Sequence, residues 1–321
     1  MPHRRTILRA AALAPIAAVA RAETWPTRPI RAIVGFVAGG GADITLRILA
    51  PRLAASLGQP VIVDNRPGGA GNLSNELALR AAPDGYTLLV ATIGQMTVNP
   101  ALSKTTLDPV AECAPIGLLV QVTNLLVVPA DRPWRSVAEL VAAARAQPGA
   151  LSYGSSSVGS AGHLAAAVLD QAAGVQTLHI PYRGGGQLIT DLITGKVDFA
   201  FATAATTWPH VQTGRLRALA VPTARRSTLL PEVPTIAESG VPGFDVVNWY
   251  GLAAPRATPA PIISMLNAAV QDALADPEVM RKFAAQGLEP LPSSPEAFGA
   301  FMRAEAARWA QVVRDAGITT D

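Results

Sequence analysis

The chain has 321 residues, 26 Lys and Arg against 23 Asp and Glu, and a formal net charge of +3. Four of those cations, Arg4, Arg5, Arg9 and Arg21, lie in the first 22 residues, which hold no acid, so the other 22 bases and 23 acids leave the body at −1. A polyanion-binding protein carries its positive charge on the folded body, which excludes nucleic acid as a partner, and 50% hydrophobic with 15% charged residues excludes disorder.

Residues 1–9 are basic, residues 10–20 apolar, and Ala20-Arg21-Ala22 has the small-x-small form of a cleavage site. This is the pattern of a secretory signal peptide cleaved near Ala22. Its apolar stretch is too short to span a bilayer, and no apolar run beyond it is long enough. The Arg4-Arg5 pair, with its spacer and apolar residues, fits a twin-arginine signal as well as a Sec signal. Either route exports a soluble chain.

Residues 29–36 predict a strand and residues 43–57 a helix, with Ile44, Ile48, Leu49, Leu53 and Leu57 at helical spacing and Pro51 as a kink. A short strand over 61–63, a helix over 72–82 and a strand over 86–92 follow. In the second half, strands are predicted at 125–128, 151–153, 178–180, 197–201 and 216–221, with helices at 137–146, 162–173 and 187–194. One more strand at 246–254 precedes a helical remainder from residue 259. Strands alternating with helices predict a mainly parallel α/β sheet in each of two lobes. The boundaries are residues 1–22 for the signal, 23–123 plus 246–321 for the first domain, and 124–245 for the second. A ligand then falls in the crevice between them, at strand carboxyl ends.

The chemistry-bearing motifs are mostly absent. There is no P-loop and no H-E-x-x-H; Gly154-Ser155-Ser156-Ser157-Val158 fails the nucleophile elbow; and Ser74 stands where a dinucleotide fingerprint needs its third glycine. The single cysteine, Cys113, lies beside no activating base and reads as a packing residue. No catalytic residue, metal ligand or cofactor is assigned, which favours a binding protein over an enzyme.

Four donor-rich loops stand out instead. Phe36-Val37-Ala38-Gly39-Gly40-Gly41-Ala42-Asp43 joins the first strand to the first helix, with Asp43 suited to the first helical turn. Thr92-Ile93-Gly94 ends another strand, and Tyr182-Arg183-Gly184-Gly185-Gly186 a third. The fourth loop, residues 155–163, is dense in hydroxyls and ends in His163, which reads equally as a ligand donor or as a capping and packing residue. Glycines turn backbone N–H groups toward a ligand, and helix N-termini add partial positive charge. Such loops can hold a carboxylate with no Arg or Lys.

These loops lie within a longer series of motifs. Trp25-Pro26-x-Arg28-Pro29-Ile30, Val63-x-Asn65-Arg66-Pro67-Gly68, Ala82-Pro83-Asp84-Gly85-Tyr86 and Asn99-Pro100 occur in the first half. Tyr153-Gly154-Ser155-Ser156, Gly159-Ser160-x-x-His163-Leu164, Pro181-Tyr182-Arg183-Gly184, Asp191-Leu192-x-x-Gly195-x-Val197-Asp198, Val233-Pro234-Thr235-Ile236 and Trp249-Tyr250-Gly251-Leu252 follow in order. Over residues 25–319 the chain resembles the Bug, or TctC, extracytoplasmic solute receptors of tripartite tricarboxylate transporters. The resemblance implies an α/β, two-lobed, type II-like periplasmic binding protein whose lobes close on a small carboxylate and present it to the membrane permease subunits. It implies a monomer without cofactor, in the periplasm. Phe36, Gly39, Gly40, Gly41 and Asp43 would form one wall of the pocket, completed by Thr92, Ser155, Ser156, Ser160, His163, Thr203 and Trp249. Asp198 would hold structure at a strand start.

Two further readings are a ligand-sensing adaptor for a membrane sensor kinase and an enzyme on the same scaffold. Departures from the family pattern are Gly35 for Pro, which should loosen that strand end, Cys113 for an aromatic residue, Ala202-Thr203, and Gln187-Leu188 for Pro-Ala. The second-lobe changes bear on ligand identity rather than on fold.

Overall fold

The computed structural model describes residues 25–102, 107–182, 184–315 and 317–318, so the export signal and Arg183 lie outside the described residues. Strand β1 (Ile30–Val34) is an apolar run with only Arg31 exposed, as a central strand should be. It feeds α1 (Gly41–Leu57), which buries Leu46, Leu49, Leu53 and Leu57 on one face and stops at Gly58, in the left-handed region at φ +71°. The helix runs on through Pro51, which sits on its exposed side. Next come β2 (Val61–Asn65), α2 (Asn72–Leu79), β3 (Thr87–Thr92), a π-helical turn (Gly94–Val98), α3 (Asn99–Leu102) and β4 (Cys113–Val122).

The chain then crosses to a second unit: β5 (Asn124–Pro129), α4 (Val137–Ala146), β6 (Ser152–Ser155), α5 (Ala161–Ala173), β7 (Leu178–Pro181), α6 (Gly185–Ile193), β8 (Phe199–Thr203), α7 (Ala204–Gln212) and β9 (Leu216–Ala220). It returns with β10 (Asn248–Pro255) and ends in α8 (Ala260–Leu274), α9 (Pro277–Ala284), β11 (Leu288–Pro290) and α10 (Pro295–Asp315).

The first sheet has the order β11-β4-β10-β3-β1-β2 and the second β7-β6-β8-β5-β9. Both are mixed, which corrects the expectation of mainly parallel sheets. In the first, β1 is parallel to β2 and β3, while β10 is antiparallel to β3 and β4, and β11 to β4. In the second, β6 is parallel to β7 and β8, while β5 is antiparallel to β8 and β9. The reason is the crossing: β4 leaves the first sheet and β10 comes back, so the two pair in opposite directions, as do β5 and β9 in the second. Strand β4 itself was not foreseen. Its ten residues include Pro115 and Gly117, which read as breakers, and the ladder with β10 absorbs them through two register shifts.

One face of the first sheet packs on α1, α8 and α9 through Leu46, Leu49, Val270 and Phe283. The other packs on α10, where fully buried Phe298 fills the hollow left by Gly251; a Cβ at that glycine would lie 2.3 Å from Phe298 Cζ. At the crossing, buried Thr123 donates to Glu289 Oε1 at 2.8 Å, and Ser227 (2.8 Å) and Thr228 (2.5 Å) donate to the same carboxylate. These hydroxyls outweigh the effect of burial and hold Glu289 below the usual carboxylate range.

Candidate functional site

At the end of β1 the backbone comes so close to α2 that a Cβ on Gly35 would meet Ser74 Oγ at 2.4 Å and Gly71 Cα at 3.2 Å. Gly35 therefore marks a tight approach, not the loosened strand end expected from the missing proline. Phe36 follows, partly buried, its carbonyl accepting from Asn65 Nδ2 at 3.0 Å. Gly39 turns the chain at φ +82°, and Gly40 caps α1 without any side-chain hydrogen bond. The N–H groups of Gly41, Ala42 and Asp43 are the first-turn donors that a helix leaves without internal acceptors. Gly41 is held against Tyr250, whose hydroxyl would lie 2.6 Å from a Cβ there.

Asp43 was expected in the ligand wall. It is only 1% exposed, and its carboxylate accepts from Gly39 N–H (2.9 Å), Arg47 Nε (2.9 and 3.0 Å) and Asn65 Nδ2 (3.0 Å). Burial alone would raise its pKa, but those bonds outweigh it and keep the carboxyl ionised below its ordinary range. Both oxygens are committed to the loop, so Asp43 shapes the wall from behind.

Thr92, at the end of β3, is buried with its hydroxyl 3.4 Å from Gln95 Oε1. Gln95, fully buried in the π-helical turn, donates to Val90 O (2.9 Å) and Asn75 Oδ1 (3.2 Å), while Asn75 donates back to Gln95 O at 2.9 Å. This closed amide pair fixes a turn type that recurs at functional positions.

In the second lobe, Ser155 ends β6, fully buried, and Ser156 beside it is exposed. Ser155 Oγ donates to Ser157 O at 2.9 Å, so its 2.7 Å contact with His179 makes Nε2 of that ring the donor. Ser160 caps α5 by accepting from His163 N and donates to Ser157 O at 2.8 Å. His163 Nδ1 accepts from Gly159 N–H at 3.1 Å, which puts the ring proton on Nε2. The two imidazoles stack at 3.9 Å, with Tyr153 stacked on His179 at 4.9 Å. Burial first, and the neighbouring ring second, pushes His163 down to about 3; burial pushes His179 down to about 4. Both are neutral at pH 7.

An acid-stability prediction follows from these rings. In the unfolded chain each imidazole takes its proton near pH 6.5, in the folded chain only near 3 or 4. The unfolded state thus binds more protons in between, and stability complete above pH 6.5 falls as the pH drops toward 5, by up to about 1.4 kcal/mol per pH unit for each ring. Denaturation midpoints between pH 6.5 and 5 should show this slope, and His179→Phe should roughly halve it.

Thr203 ends β8, caps α7 without a side-chain bond to it, and shares a 3.0 Å contact with Thr206. It lies opposite Asn124 in the β5–β8 ladder, and Asn248 at the return crossing donates to Asn124 at 3.4 Å. The lobes also meet directly: a Cβ on Gly159 would lie 3.1 Å from Asn99 Oδ1, and one on Gly94 would lie 3.2 Å from Gly159 O. The structure thus brings Gly41 and Thr92 together around Tyr250, and Ser155, Ser160 and His163 together in the facing lobe.

Trp249 is elsewhere. It is fully buried, edge-on to Phe298 (5.7 Å) and Phe301 (5.5 Å), in the core beneath α10. Strand alternation sends Tyr250 to the opposite face, where it pairs across from Thr92 and reaches Gly41. Burial pushes its phenol up to about 12, so it stays a neutral donor. The alternation of Trp249 and Gly251 against Tyr250 was the available signal for this residue. Asp198 accepts from Ser152 N (2.8 Å) and pairs with Arg132 (2.7 Å), holding β6 to the start of β8. Cys113 is buried, and its thiol is pushed up to about 12 by burial and by Asp108, which disfavours the thiolate at neutral pH.

The helix N-termini differ in how they are capped: α4, α5 and α9 carry side-chain caps from Ser136, Ser160 and Asp276, whereas α1, α6, α7 and α8 have none. The first N–H of α7, that of Ala204, donates to Thr123 O at 2.7 Å, whereas the first turns of α1 and α6 have no side-chain acceptor, and an anion held there needs no buried cation.

Two mixed α/β lobes joined by crossing strands, with donor loops at their strand ends, define a two-lobed binding protein of the periplasmic type. Residues 45–318 match the family model for the tripartite tricarboxylate transporter family receptor, TctC, and the chain belongs to this family. It is 36% identical over 311 residues to Protein BugT of Bordetella pertussis, covering 95% of this chain and 94% of BugT. It is also 36% identical over 314 residues to a protein encoded in the tcbD-tcbE intergenic region of Pseudomonas sp. strain P51, covering 97% and 94%. Among solved structures it resembles Rpa4515 of R. palustris with adipate at 36% identity and TM-score 0.83, covering 92% of this chain and 99% of that one. MatC of Rhodopseudomonas palustris with bound malate follows at 30% identity and TM-score 0.79, covering 90% and 100%.

Proposed function

We propose that this receptor captures a small carboxylate between its lobes, residues 23–123 plus 246–321 on one side and 124–245 on the other, and delivers it to the membrane permease of a tripartite tricarboxylate transporter. The observation that carries the reading is the pair of facing walls whose helix N-termini and hydroxyls are donors without formal charge. The N–H groups of Gly41 and its neighbours, set by Gly39 and Gly40 and flanked by Phe36 and Tyr250, take one carboxylate end. Ser156, Thr203 and the Nε2–H of His163 bind from around and across the cleft, while Thr92, Ser155 and Ser160, whose hydroxyls donate to Gln95 and to Ser157 O, shape its walls. Adipate and malate in related structures support a dicarboxylate. The function is binding rather than catalysis, and it takes place in the periplasm after export.

Thermal shift of the mature protein with a panel of mono-, di- and tricarboxylates tests this. A true ligand at a hundred times its Kd adds about 2.7 kcal/mol of stability. Gly41→Ala, whose methyl meets Tyr250, should weaken that ligand at least about tenfold, in line with the loss of one charge-assisted contact. A panel without any stabilising member overturns the proposal.

A further inference from the structure

Away from the crossing strands, the lobes touch through one tight turn. Strand β6 stands two strands from β5, which enters the second lobe, or roughly 9–10 Å at ordinary strand spacing. The return path leaves beside Pro222, just past β9 and on the other side of β5. The turn that follows β6, residues 157–160, places Gly159 in a corner of the first lobe made by the π-helical turn and α3. A Cβ on Gly159 would stand 3.1 Å from Asn99 Oδ1, 3.3 Å from Leu102 Cδ1 and 3.7 Å from Val98 Cγ1. One on Gly94 would stand 3.2 Å from Gly159 O. The seam closes tightly because both positions are glycine.

Each half of the seam is held in shape from within its own lobe. In the turn, Ser157 O accepts from Ser155 Oγ (2.9 Å), Ser160 Oγ (2.8 Å) and Ser160 N (3.2 Å). Gly159 sits at φ +73°, and its N–H donates to His163 Nδ1 at 3.1 Å. That imidazole is clamped in turn by its 3.9 Å stack on His179. Opposite, Asn99 Nδ2 donates to Ala70 O at 2.6 Å, and the Gln95–Asn75 amide pair fixes the π-helical turn. Hinged lobes separate most at points far from the hinge, so a rigid contact there belongs to the closed arrangement.

We infer that this turn is a latch: Gly159, seated against Val98, Asn99 and Leu102, holds the lobes closed, and His163 is the residue that positions it through Nδ1. This role is distinct from the ligand contact given above to the Nε2–H of the same ring. It rests on the reading that a ligand is enclosed between the lobes, and it governs how long that ligand is held rather than how it is recognised.

Spin labels on Arg80→Cys and Gln171→Cys, exposed positions on opposite lobes, report the interlobe distance by double electron–electron resonance. Measured without ligand and in 10 mM adipate, the otherwise unaltered protein should contain a short, closed distance. Gly159→Ala should lower the closed-to-open ratio at least about fivefold, as overpacking a tight contact does. Gly94→Ala presses the same seam from the first lobe at a position without positive φ, so a shift in the same direction there excludes backbone strain at residue 159 as the cause. His163→Phe keeps a stacking ring but has no acceptor and should cost about fivefold, the worth of one hydrogen bond. His163→Asn, whose amide oxygen replaces Nδ1, should restore the ratio to within about twofold, which a merely structural role would not produce. A closed fraction that adipate and other carboxylates never raise, but that Gly159→Ala lowers, supports the latch while counting against the carboxylate reading. The latch is overturned if the closed distance is absent under both conditions, if both glycine variants keep the closed fraction, or if His163→Asn behaves as His163→Phe does.

Discussion

Phe298→Ala should lower the free energy of unfolding by about 3–5 kcal/mol, the range for removing a fully buried phenylalanine when the surroundings cannot collapse. Collapse is blocked here by the backbone itself. The ring stands over Gly251, within 2.3 Å of where a Cβ would be, and Trp249 meets it edge-on at 5.7 Å. Neither the glycine nor a strand paired on both sides can move in to fill the hole. Trp249 also loses the aromatic contact, worth about 0.5–1.5 kcal/mol beyond area. Chemical denaturation of the two proteins decides it, and a loss under about 1 kcal/mol would mean that α10 is not seated on the first sheet as described. Since Trp249 was expected in the pocket, a second readout separates the roles: Phe298→Ala should leave carboxylate affinity within a few-fold while lowering stability.

Asp43→Ala should do the reverse in proportion, with a moderate loss of stability and a large loss of binding. Removing the carboxylate takes an acceptor from the exposed Gly39 N–H and from half-buried Asn65 Nδ2, which keeps its bond to Phe36 O, so the lost hydrogen bonds cost about 1 kcal/mol. Arg47 adds little, because its half-exposed side chain recovers solvent. The binding loss comes from geometry. Gly41, Ala42 and Asp43 present their N–H groups in this arrangement while Asp43 pins Gly39 at φ +82°, so carboxylate affinity should fall by at least about tenfold, more than one lost contact explains. Asp43→Asn retains one acceptor and should fall between the wild type and Asp43→Ala. Since the Asp43 pKa is depressed on folding, its contribution is present above the unfolded value near 3.8 and fades as pH falls through the folded one. Isothermal titration beside a melting curve checks both parts, and unchanged affinity in Asp43→Ala would remove this loop from the ligand wall.

The comparison of the sequence with the fold turns on which residues act locally. The Phe36–Asp43 loop was legible because glycines before an apolar-periodic helix have few other uses. The hydroxyl-rich loop before α5 was legible for the same reason, and the helix at 137–146 matches α4 residue for residue. Helix α7 was missed because Thr206, Thr207 and Pro209 hide its pattern. Trp249 was taken for a pocket residue where Tyr250 fits, because choosing a strand's face needs its neighbours.

The sequence by itself determined the two-lobe order of the chain, the family, and the donor character of the loops, all of which are written in short-range patterns of glycine, hydroxyl and apolar residues. Tertiary structure alone decided the mixed pairing of both sheets, the assignment of Asp43 to its own loop, the stacking of His163 on His179, and the placement of Tyr250. Each depends on groups distant in the chain meeting in space: β4 with β10, Asp43 with Asn65, His163 with a strand 16 residues away, and Tyr250 with a glycine more than 200 residues earlier. Local propensity carries no information about such meetings, since they are fixed by how complete elements pack.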